Sequence, residues 1–99
     1  MAPSPYVAAS FSLLRDATAA IDWFRNQAIL PDDIVVAVRE AGRAERPPQR
    51  GDSDRDDLTW IVALDPTAAR LPAAIVRGTL QREGGKLFAW APTPALEHT

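Results

Sequence analysis

IVVAVREAGRAERPPQRGDSDRDDLTWIVAL, residues 34–64, decides how this chain folds. Two apolar, β-branched runs, 34–38 and 58–64, read as strands. Between them lie paired prolines, two glycines and alternating charges, with no helical period. A parallel pair needs a crossover of a dozen or more residues, usually a helix; an antiparallel pair needs only a turn. The two strands are therefore expected to pair as a hairpin with an overlong loop, 40–57. A loop above about 15 residues is unusual in a small domain, and this one reads as polar and mobile.

Each strand has a helix on its far side. Upstream, Val7, Ala9, Phe11 and Leu13 alternate with Tyr6, Ala8, Ser10 and Ser12, the period of a strand buried on one face. Ala17, Ala20, Ile21, Phe24 and Ala28 then fall on one helical stripe, with Asp16 as the expected N-cap and Pro31 as the stop. Trp23 lies off that stripe, on its flank. Downstream, Leu58, Trp60, Val62 and Leu64 share one strand face. Asp65 followed by Pro66 is a helix start, and Pro72 forces a kink or a restart. Gly84 and Gly85 end the helix, and 86–91 is a last strand. The order is strand, helix, strand, strand, helix, strand. The expected fold is α+β: a ferredoxin-like βαββαβ sandwich, a four-stranded antiparallel sheet with two helices on one face. The alternative, a small parallel doubly wound sheet, lacks a crossover helix between the middle strands.

Ninety-nine residues with 46% hydrophobic and 24% charged side chains suit one globular domain, 1–99, ending in an irregular tail at 92–99. A net charge of −2 argues against a nucleic-acid partner, which needs a concentrated basic surface. The opening MAPSPYVAAS lacks the basic and apolar regions of a secretion signal, and no run reaches membrane-spanning length. The chain is read as soluble and cytoplasmic. Its richness in Ala, Arg, Asp and Pro suggests a GC-rich bacterial genome.

Candidate chemistry is sparse. Asp52, Asp54 and Asp56 alternate as hard-cation ligands do, but a calcium loop counted from Asp52 would need glycine where Asp57 stands and glutamate where Ala63 stands. Arg50 and Arg55 oppose the remaining field, so no metal and no cofactor is expected. The chain contains no cysteine, which excludes thiolate chemistry. The single histidine, His98, is the second-last residue. Serines 4, 10, 12 and 53 have no nucleophile-elbow context, so no catalytic residue is assigned.

SLLRDATAAIDWFRNQAILPDDIVVAVRE (12–40) and WIVALDPTAARLPAAIVRGTLQREGG (60–85) resemble small bacterial heat-induced or general-stress-protein modules. Their shared features are a strand leading to an "A–AI–L" helix, a "P–DDI" turn and "VVA", then a strand ending in Asp, a helix and a Gly-rich turn. Pro72 and the 40–57 loop depart from that pattern. The resemblance implies a ferredoxin-like fold and a stress-associated, non-enzymatic role.

With helices on one face only, the other face is expected to be open. Tyr6, Ala8, Ser10, Val35, Ala37, Ile61 and Ala63 would line it, and Trp23 would add a flank. Such a surface suits a homodimer or a protein partner. The alternative is a small-molecule sensor or small enzyme with a cleft at the sheet or dimer interface.

Overall fold

A computed structural model of the chain describes residues 5–92. Ser4, His98 and the expected tail beyond Pro92 lie outside the described residues. The elements are β1 (Val7–Phe11), α1 (Leu14–Asn26), β2 (Ile34–Arg39), β3 (Thr59–Leu64), α2 (Pro66–Ala69), α3 (Ala73–Arg82) and β4 (Lys86–Phe88), with single 3-10 turns at Pro31–Asp33 and Asp52–Asp54. Among the described residues no helix is long and apolar enough to cross a membrane.

The strands form one sheet in the order β2-β3-β1-β4. Every neighbouring pair is antiparallel. The parallel alternative is thereby removed. β2 pairs with β3 from Ile34↔Leu64 to Arg39↔Thr59, the hairpin read from the sequence. β1 and β2 flank β3, and β3 and β4 flank β1, so each strand–helix–strand unit leaves a gap that a strand of the other unit fills.

The main core follows the period-two faces. Ala9, Phe11, Val38, Trp60, Val62 and Leu64 from the strands meet Ala17, Ala20 and Phe24 of α1 and Val76 and Leu80 of α3. Burying a Phe or Leu here contributes about 1.5–3 kcal/mol each. Gly85 is needed where α3 returns to the sheet. A β-carbon there would lie 2.7 Å from Phe11 and 2.8 Å from both Ala9 and the Leu80 carbonyl.

Several local expectations shift. α1 begins at Leu14, so Asp16 sits inside the first turn and Leu13 takes the cap position without a side-chain bond. There the carboxylate still favours the positive end of the helix. α1 also ends at Asn26, leaving Ala28 outside the stripe assigned to it. Asp65 does cap α2, its carboxylate accepting the Thr67 N–H at 3.0 Å. Pro72 separates two helices rather than kinking one, because it can start a helix but cannot continue one. β4 ends at Phe88, so Trp90 is not a strand residue.

Candidate functional site

Trp90 changes the surface expected to be open. Ala8 is 2% exposed, and Ala37, Ile61 and Ala63 are fully buried. They form a second core cluster with Trp90, bordered by Tyr6, Val35 and Phe88. Tyr6 meets the indole edge-to-face at 5.3 Å between ring centres. The indole Nε1–H donates to Glu45 Oε2 at 2.6 Å, tying the segment after β4 to the loop after β2. The structure thus brings most of the expected interface residues together, but as an interior. Of the residues expected to line that face, Tyr6, Ser10 and Val35 keep partial exposure. Trp23 is elsewhere, on α1, edge-to-face with Phe24 and covered by the Arg82 guanidinium 5.6 Å from its ring centre.

The 40–57 loop is laid down by charge. Arg46 donates two hydrogen bonds to Asp52, each 2.9 Å, and the Gln49 N–H donates a third at 2.6 Å. The Arg46 guanidinium, then the Gln49 amide, hold the Asp52 carboxyl at a pKa of about 2. Arg55 bridges Asp57 and Glu40. That contact lowers the pKa of both carboxyls and raises that of the guanidinium. Two of the four loop aspartates are therefore committed to arginine. Among the described residues no group of three or more His, Asp or Glu is placed to hold a metal ion.

What stays exposed is the corner between α1 and β2. Leu30 is 65% exposed, the highest value among the large hydrophobic residues described. Beside it, Ile21, Arg25, Pro31, Ile34 and Val36 line a groove of about 260 Å³. β2 is an edge strand here. Val38 exchanges both backbone hydrogen bonds with Arg46 at 2.9 Å, so its N–H and C=O face away from β3. By the two-residue alternation of an antiparallel ladder, those of Ile34 and Val36 face outward as well. The Ile34 N–H returns to the Pro31 carbonyl. Val36 N–H, Val36 C=O and Ile34 C=O have no partner among the described residues.

A second hollow of about 320 Å³ lies on the other side of Leu30, lined by Ala28, Ile29, Leu30, Asp33, Ala68, Ala69 and Arg70. Ala28 (φ 64°) and Arg70 (φ 59°) are the two non-glycine residues with left-handed backbone among those described. Each closes a helix. Ala28 and Ile29 donate back to Arg25 and Phe24, and Arg70 and Leu71 to Thr67 and Pro66. Gly84 closes α3 in the same way and is a glycine, as this position favours.

The sequence reading did not find this corner. Its one available signal was Leu30 itself, an apolar residue off the helical stripe and immediately before a proline. Comparison with family models, with curated proteins and with solved structures returns no match.

Proposed function

We propose that the domain is a non-enzymatic interaction module of ferredoxin-like topology that pairs with a second copy of itself through the β2 edge. The reading rests on one observation: the outward Val36 N–H and C=O and the Ile34 C=O are unpaired beside exposed apolar surface. An unprotected edge of this kind is a template for strand addition. Arg46 occupies the edge at Val38, so an incoming strand must stop early. A long peptide is disfavoured, whereas β2 of a second copy begins only at Ile34. A two-fold axis at Val35 lets Val36 N–H of each copy donate to Ile34 C=O of the other. It also places the two Val35 side chains face to face, a favourable cross-strand pair. The stress-associated setting implied by the sequence resemblance belongs to this proposal and is supported by that resemblance alone.

So short an interface is weak, with a Kd on the order of 100 μM. Sedimentation equilibrium checks it. The mass should rise from 10.8 kDa toward twice that value as concentration increases. Val36→Pro should remain at the monomer mass while keeping its fold, because proline is tolerated where an edge N–H faces solvent. Wild type fixed at the monomer mass at about 1 mM, well above that Kd, overturns the proposal. So does unaltered association of folded Val36→Pro.

A further inference from the structure

We infer that the hollow between the C-terminal ends of α1 and α2 binds a compact zwitterion, a small apolar α-amino acid in chemical class. Arg70 and Asp33 both line it. Neither makes an ion pair or side-chain hydrogen bond with any described residue. An unpaired cation and an unpaired anion on one concave surface match a ligand carrying both charges a few ångströms apart. Asp33 and Arg70 assign the ends, since both helices turn their carbonyl ends toward the hollow. The C-terminus of α1 carries partial negative charge, so an ammonium sits best near Ala28 and Asp33. The ligand carboxylate then faces Arg70, whose planar fork suits bidentate pairing. Ile29, Leu30, Ala68 and Ala69 supply the apolar lining. A volume of about 320 Å³ is near the lower limit of ligand pockets and fits a small molecule alone.

The backbone carries an independent sign. Both non-glycine left-handed residues line this hollow, while the third helix closure of the same kind, away from it, has the relaxed choice, Gly84. Retained strain of this type gathers at ligand clamps. At position 70 it keeps a guanidinium that glycine would not supply.

Titration of the isotope-labelled protein with L-leucine tests the inference, followed by the amide resonances of Ala28, Ile29 and Arg70. The expected result is saturable shifts at those amides. 4-Methylpentanoate, which lacks the ammonium, and 3-methylbutylamine, which lacks the carboxylate, should each bind at least tenfold more weakly. Arg70→Gly should lose the saturable shifts while its Tm rises by about 4 °C as the strain is relieved. Absence of saturable shifts with leucine overturns the inference, as does equal affinity for either truncated analogue or unchanged binding by Arg70→Gly. If that variant loses binding together with a fall in Tm, Arg70→Gln decides in the same titration. Retained affinity overturns the inference, and a loss of tenfold or more upholds it.

Discussion

Asp52 shows how a residue that reads as a candidate ligand becomes a structural one. The residue is 4% exposed, and its carboxylate accepts from Arg46 and from the Gln49 amide. Its pKa in the folded chain, about 2, lies below the ordinary value near 3.8. A depressed carboxyl stabilises the fold above its unfolded pKa, and that contribution is lost as pH falls toward the folded pKa. Thermal unfolding of wild type should therefore show Tm falling between about pH 4 and pH 2. Asp52→Asn should start lower at neutral pH and lose part of that slope; an unchanged slope would contradict the assignment. The pairing was not legible in the sequence. Arg46 and Asp52 are six residues apart in a segment with no period, and only the folded loop brings them together.

At the scale of elements, the strands and helices were legible wherever one period ran uninterrupted. Ile34 to Val38 and Leu58 to Leu64 gave the central hairpin, and Asp65–Pro66 gave the start of α2. Trp90 escaped for a physical reason. In KLFAWA the alternation continues through it, and Trp90 does share a face with Phe88. Period alone cannot show that the chain leaves β1 after Phe88 and turns the indole over the sheet. Removing that cover tests its role. Trp90→Ala should cost about 3 kcal/mol in urea denaturation, the range of a large aromatic deleted from a core. Trp90→Phe should cost less, since it keeps most of the apolar contact and loses the hydrogen bond to Glu45. A loss under about 0.5 kcal/mol for Trp90→Ala, the range of an ordinary surface change, would show that the second face does not depend on it.

For the whole molecule, filling both sheet faces moves the available surface to an edge. An open face would have offered Ala8, Ala37, Ile61 and Ala63 to a partner; the chain buries all four. The α1–β2 corner instead concentrates the exposed Leu30, a groove, a hollow and the unpaired groups of β2. Edge position depends on strand order, which no local pattern encodes, so the sequence marks this corner through Leu30 alone. Dimerisation there should leave a local trace. The Val36 amide should exchange slowly at high protein concentration and progressively faster on dilution, while the amide of buried Val62 stays constant. A Val36 exchange rate independent of protein concentration across the range on either side of about 100 μM, the expected Kd, would contradict pairing through β2.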